Sequence, residues 1–219
     1  METIEGSLHV IEMFQSIQGE TSLTGLPTTF LRLAACNLRC TWCDTTYSFG
    51  RGNLQSLKAI FHQIEDYGHR HVCITGGEPL LQRHTLSLMT HLCHHGYVVS
   101  LETGGSLSTK EVDPRVIVIL DIKCPGSGMS KRNHWNNLNN LKEHDEVKFV
   151  LKNEEDYLYA KAVCKKYSLF DRNKEVLFSP VHEEMDPQEL IALILKDSIP
   201  VRLNLQIHKY VWSSETQGV

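Results

Sequence analysis

Cys36-Asn37-Leu38-Arg39-Cys40-Thr41-Trp42-Cys43 holds three of the chain's seven cysteines within eight residues, and the reading of the fold turns on it. The gaps between the thiols are three and two residues, so one loop can wrap them around a corner of a cubane iron–sulfur cluster. A fourth neighbouring cysteine would close such a site, as in electron-transfer ferredoxins. Here the others, Cys73, Cys93, Cys124 and Cys164, are scattered. A 4Fe–4S cluster on Cys36, Cys40 and Cys43 would therefore keep one iron open. The alternative is a zinc ion completed by a histidine, because zinc accepts three cysteines and one histidine. The scattered four read as small buried hydrophobes. An odd, clustered set differs from the even, spread set of a secreted disulfide scaffold, so a reducing compartment fits better.

Outward from this motif, apolar β-rich runs recur at residues 29–33, 72–75, 97–101, 116–122, 147–151, 176–178 and 201–207. Most are continuous rather than alternating, as in strands buried on both faces of a parallel sheet. Helical spacing falls between several of them, at 54–67, 80–95, 154–167 and 187–196. Asp186-Pro187 gives the last helix a capping residue and a proline at its first position. Strand, crossover and strand repeated in this way predict an α/β fold with mostly parallel strands. At 219 residues the chain is short for a closed eight-stranded barrel of about 250. An incomplete, open (β/α)6-type barrel, formed as one domain over 1–219, is expected.

Composition narrows the function. Hydrophobic residues make up 41% and charged residues 22%, with a net charge of −4 and both signs mixed along the chain. That is globular, with no basic face for nucleic acid. Apolar runs are strand-sized, too short to span a bilayer, and the acidic start Met1-Glu2-Thr3-Ile4-Glu5 does not read as a secretory signal. A soluble cytoplasmic protein is expected.

The unusual loops fall after successive strands. Thr75-Gly76-Gly77-Glu78-Pro79 follows the second, Glu102-Thr103-Gly104-Gly105 the third, Asp121-Ile122-Lys123 the fourth and Ser179-Pro180 the sixth. Ligands of parallel α/β sheets bind where such loops converge, at the carboxyl ends of the strands. Adjacent glycines let backbone approach a ligand, and Glu78 can pair with an ammonium group. By itself the segment reads as a strand-to-helix turn; beside the cysteine motif it resembles the glycine-rich loop of radical S-adenosylmethionine (SAM) enzymes. His91, His94 and His95 have metal-ligand spacing but no acidic partner, and read as a packing or solvated face. The lysines between 161 and 166 read as an exposed helix end.

Further marks make the resemblance specific. Glu12-Met13-Phe14-Gln15-Ser16-Ile17-Gln18-Gly19-Glu20, then Phe30-Leu31-Arg32-Leu33-Ala34-Ala35-Cys36-Asn37, Cys43-Asp44-Thr45 and finally Gln206-Ile207-His208-Lys209-Tyr210 together resemble the 7-carboxy-7-deazaguanine synthase family. The resemblance implies conversion of 6-carboxy-5,6,7,8-tetrahydropterin to 7-carboxy-7-deazaguanine with loss of ammonia, in queuosine and deazapurine biosynthesis. It implies a reduced cluster that cleaves SAM to a 5′-deoxyadenosyl radical, which takes hydrogen from C6 of the pterin. SAM would be bound by Trp42, Asp44, Gly77, Glu78, Glu102, Asp121, Ile122, Lys123 and Ser179. The pterin would meet Ile17, Gln18, Gly19, Arg32, Thr75 and His208, with Arg32 on its carboxylate and His208 on a terminal strand. Mg²⁺ would sit on Thr45, and a hydroxyl oxygen suits that hard cation. A flavodoxin- or ferredoxin-class reductant and a homodimer are implied as partners.

The sequence also departs from the family pattern. Thr21 stands where a glycine is usual, Glu102-Thr103-Gly104-Gly105 replaces a common Glu-Thr-Asn-Gly, and nine residues follow Tyr210. An activating enzyme for a glycyl-radical protein shares the cysteine motif but needs a groove for a peptide. A zinc-stabilised binding module is the non-enzymatic alternative.

Overall fold

The chain begins with a hairpin that the apolar-run reading does not include. In the computed structural model, which describes residues 4–171, 175–212, 216 and 218, β1 (Ser7–Ile17) runs antiparallel to β2 (Pro27–Leu33). The cysteine loop follows, then a short strand, β3 (Asn53–Ser56), on the outer side of β1. Residues 54–56, read above as the start of a helix, pair instead with Ser7–His9, and helix α1 (Leu57–Tyr67) begins after them. Ser56 caps it by accepting from the Ala59 amide, and Gly68 ends it in the left-handed conformation.

Next come β4 (His71–Gly76), α2 (His84–His94), β5 (Val98–Thr103), β6 (Ile117–Asp121) and the short α3 (Asn137–Asn140). They are followed by β7 (Glu146–Leu151), α4 (Glu154–Lys166), β8 (Glu175–Pro180) and α5 (Pro187–Asp197), with Asp186 capping α5 as expected. The strand β9 (Arg202–Leu203) and the short helix α6 (His208–Val211) close the order. The expected strand over 201–207 is thus reduced to two paired residues, and His208 lies in a helix rather than a strand. Asn204, Gln206 and His208 turn away from the ladder toward the loops at the carboxyl ends of the strands.

The sheet runs β3-β1-β2-β4-β5-β6-β7-β8-β9, and every pairing from β2 onward is parallel. It does not close on itself, so the barrel is incomplete and open. Alternation along the strands sorts their side chains onto two faces. Leu31, Leu33, Ile74, Leu101, Leu120, Val147 and Phe149 point outward and form the core with the helices, each fully buried. Phe30, Arg32, Thr75, Glu102, Asp121 and Lys148 alternate with them and line the concave face. Cys73, Cys124 and Cys164 are buried, and Cys93 packs partly against the core, in keeping with structural roles. Among the described residues no helix is long and apolar enough to cross a membrane.

Candidate active site

The cysteine loop leaves β2 and folds over the end of β4. Ala35 takes a left-handed φ of 71°, which turns the chain sharply just before Cys36. The Ala35 carbonyl accepts from the Glu78 amide at 2.8 Å, and the Leu33 carbonyl accepts from the Gly77 amide at 3.1 Å. A Cβ on Gly77 would lie 2.1 Å from the Ala35 oxygen and 2.9 Å from Cβ of Cys36. What the double glycine admits at this closeness is therefore the backbone of the cysteine loop. The far side of that loop is tied to the turn after β6, where the Thr41 hydroxyl donates to the Gly126 carbonyl at 2.9 Å.

Glu78 sits behind the cleft wall. Its side chain is fully buried and does not line the cleft; it accepts from the Leu80 amide at 3.0 Å, the Thr103 hydroxyl at 2.9 Å and the Gly104 amide at 2.9 Å. Those bonds lace the loop after β4 to the loop after β5. Burial pushes its carboxyl above the ordinary value despite these donors. Ile122 and Ser179 also lie off the cleft: Ile122 is in the core, and Ser179 is buried with its hydroxyl accepting from Asn204 at 2.7 Å.

The remaining expected residues converge on one cleft of about 690 Å³, lined by Cys36, Cys40, Cys43, Trp42, Asp44, Thr45, Gly77, Glu102, Asp121 and Lys123, and also by Ile17, Gln18, Gly19, Arg32, Thr75 and His208. Strand register assembles it. Arg32 stands beside Thr75 on β2–β4, and Asp121 beside Lys148 on β6–β7. Thr75 donates to Glu102 at 3.1 Å, and Lys123 pairs with Asp121 at 2.9 Å. The other Asp121 oxygen, Oδ1, is buried without a partner among the described residues. The His208 ring packs against Gly19, where a Cβ would fall 2.1 Å from Nδ1. Burial holds that imidazole below its usual pKa, more than the Glu20 charge raises it.

Several lining residues are held by partners that no local pattern pairs with them. Glu20 pairs with Lys148 at 2.9 Å, both buried, and accepts from Gln206 at 2.8 Å. Burial opposes both charges, yet their attraction leaves the Glu20 carboxyl below its ordinary value and the Lys148 ammonium above its own. Lys209 reaches Asp44 at 2.9 Å. Burial would raise the Asp44 carboxyl, but Lys209, with help from Thr45 and Arg32, lowers it to about 2. Each pair joins residues more than a hundred positions apart, so no spacing rule could reveal it. The terminal carboxylate of Val219 lies outside the described residues.

The donor set suits an iron–sulfur cluster. Three unbridged, partly exposed thiols face one cleft from a single loop. Among the described residues no three His, Cys, Asp or Glu side chains are grouped to hold a single ion. A zinc ion needs its ligands about 2.3 Å from one point, whereas a cubane spreads its thiolates over different irons. The partnerless Asp121 oxygen is a spare acceptor in the same cleft for the donor groups of a cosubstrate.

The radical SAM superfamily model matches residues 32–120. The chain is 40% identical to 7-carboxy-7-deazaguanine synthase of Koribacter versatilis, over 97% of this chain and 100% of that one. It is 41% identical to the protein of that name from Chlorobaculum tepidum, over 98% and 99%. Among solved structures, QueE from Escherichia coli matches with a TM-score of 0.72 at 24% identity, covering 91% of this chain and 94% of that one. Streptococcus suis SuiB matches at 0.55 with 15% identity, covering 82% and 48%. These two structural likenesses bear on the fold alone.

Proposed function

Because the chain belongs to the 7-carboxy-7-deazaguanine synthase family of radical SAM enzymes, we propose that its cleft performs that family's reaction with the division of labour set out below. The enzyme converts 6-carboxy-5,6,7,8-tetrahydropterin to 7-carboxy-7-deazaguanine with loss of ammonia, a step of queuosine biosynthesis. The observation that carries this reading is one cleft that joins the thiols of Cys36, Cys40 and Cys43 to the guanidinium of Arg32. When bound, the 4Fe–4S cluster and SAM supply abstraction of a hydrogen atom from C6 of the substrate.

The chain's own groups bind and orient. Trp42, Asp44, Gly77, Glu102, Asp121 and Lys123 surround SAM, with Glu102 and Asp121 as hydrogen-bond acceptors. Glu78, Ile122 and Ser179 act indirectly, by fixing the loops that do. Arg32 takes the substrate carboxylate, for which a guanidinium is the natural bidentate partner. Ile17, Gln18, Gly19, Thr75 and His208 hold the pterin ring against the β1 end of the trough. Thr45 offers its hydroxyl to Mg²⁺, which the substrate carboxylate and water complete. The enzyme works as a cytoplasmic homodimer of one-domain chains and draws electrons from a flavodoxin- or ferredoxin-class donor.

The test is an anaerobic assay of reconstituted enzyme that follows deoxyadenosine and 7-carboxy-7-deazaguanine in parallel. Cys40→Ala should lose the cluster absorbance and both products. Arg32→Ala should keep the cluster and slow deoxyadenosine formation, with KM for the carboxypterin raised roughly a hundredfold, or about 2–3 kcal/mol. Wild-type enzyme that cleaves SAM yet never forms the deazapurine would return the reading to a glycyl-radical activating enzyme.

A further inference from the structure

Glu12 stands directly across the β1–β2 ladder from Arg32. Its Oε1 accepts from Arg32 Nε at 2.7 Å and from the Tyr47 hydroxyl at 2.9 Å. The terminal nitrogens of Arg32, Nη1 and Nη2, have no hydrogen-bond partner among the described residues. The Phe14 and Tyr47 rings each lie 5.8 Å from the guanidinium carbon. Phe14 is itself stacked on Phe30 at 5.0 Å. Arg32, Phe14 and Tyr47 line the cleft, whereas Glu12 does not.

A guanidinium can meet a carboxylate along two edges, one using Nε with an η nitrogen and the other using both η nitrogens. Glu12 occupies Nε, so only the edge formed by Nη1 and Nη2 is left for a ligand. An unheld arginine would sample many rotamers, and ordering it on binding carries an entropic cost. The grip of Glu12 and the flanking rings meet that cost before any ligand arrives. Tyr47 adds a second link. It belongs to the turn of residues 46–49 that begins just after Thr45, so Glu12 connects the arginine to the segment that carries the hydroxyl.

We propose that Glu12 is the positioning residue of the acid-binding end of this site: with Tyr47 it holds Arg32 so that its two η nitrogens face the substrate carboxylate, in fixed register with the Thr45 turn. This rests on the reading that Arg32 binds that carboxylate, and it assigns a role to a residue that does not touch the substrate. It also makes the cleft selective for a planar acid group, because the exposed edge of the guanidinium presents two parallel donors.

The experiment uses reconstituted holoenzyme and two probes, 6-carboxytetrahydropterin as substrate and tetrahydropterin without the carboxylate as competitive inhibitor. Glu12→Ala should raise KM for the substrate at least tenfold and change the inhibitor's Ki by less than twofold, with iron content unaltered. Glu12→Gln keeps an acceptor oxygen and should bring KM back to within threefold of wild type. Arg32→Ala combined with Glu12→Ala should bind substrate no worse than Arg32→Ala alone, since the positioning residue has nothing left to position. Tyr47→Phe, which removes one hydroxyl, should raise KM by a smaller factor and carries the test if Glu12→Ala does not fold. Parallel shifts of KM and Ki would show a merely structural role and overturn the proposal. A normal KM in Glu12→Ala, with a raised one in Arg32→Ala, would overturn it while sparing the reading of Arg32. A normal KM in Arg32→Ala would remove that reading and this inference together.

Discussion

Thr21 has a φ of 72°, a backbone region where a β-branched residue is a true outlier. Its neighbours hold it there. Its amide donates to Asn204 Oδ1 at 2.7 Å, its hydroxyl accepts from the Leu23 amide at 3.2 Å, and its carbonyl accepts from the Thr24 hydroxyl at 2.7 Å. Strain of this kind costs about 1–3 kcal/mol and persists only where the surroundings over-determine it. Glycine would sit at this position without strain, though it would forfeit the bond to Leu23 and lose more entropy on folding. Thr21→Gly should therefore stabilise the protein by roughly 0.5–1 kcal/mol, seen as a rise in Tm of about 1–4 °C. A lower Tm would mean that the hydroxyl's bond to Leu23 outweighs the backbone strain.

The pair of elements that matters most is the β4 end and the cysteine loop that lies on it. A valine at Gly77 would drive its side chain into the Ala35 carbonyl and the Cys36 Cβ, neither of which is the tip of a flexible chain. Gly77→Val should thus lose iron and sulfide as well as SAM affinity, measured per chain after anaerobic reconstitution. Full cluster content with weakened SAM binding would show that the glycine makes room for the ligand instead. The cysteine spacing made this loop legible in the sequence, but the closeness of backbone to backbone was not. The same contrast runs through the fold. Six of the seven apolar runs recur as strands close to full length, because burial on both faces writes a continuous signal. β1 and β3 write no such signal, because Glu12, Gln15, Asn53 and Gln55 interrupt theirs. The run at 201–207 overcalled β9 because its polar alternate residues serve the cleft and not a ladder. Among site residues, the thiols, the glycines and Arg32 could be read from motifs. Glu12, Tyr47, Lys148 and Lys209 are set by partners remote in sequence.

At the scale of the whole molecule, hydrogen bonds bridge the open sheet where strands do not. The loop after β1 is stitched to the segment after β9 by Thr21 to Asn204, Glu20 to Gln206, and the Ile207 amide to the Gly19 carbonyl at 3.0 Å. Lys148 joins this seam to β7 through Glu20. Removing one partner of a buried pair costs about 3–5 kcal/mol, because the other charge is left unpaired, so Lys148→Met should lose about that much in urea unfolding at pH 7. The sign of its pH dependence follows from the two shifts. Glu20 is lowered from 4.5, so its contribution is full above that pH and fades as pH falls through its folded value. Lys148 is raised from 10.5, so its contribution is full below that pH and fades as pH rises through its folded value. The penalty of Lys148→Met should therefore shrink as pH falls from 7, first where the unpaired, buried Glu20 of the variant takes up a proton above its ordinary value and then where the wild-type pair loses its charge below that value; a penalty constant from pH 7 to 4 would place it in packing instead. The seam also sets an order in time. Its bonds span 183 and 186 residues of sequence, separations whose closure is slow and comes late in folding. A ribosome adding about 5–20 residues per second needs roughly 10–30 s to pass from Cys43 to Gln206. For that interval the three thiols stand on a half-made sheet, before the segment that walls the cleft has been synthesised.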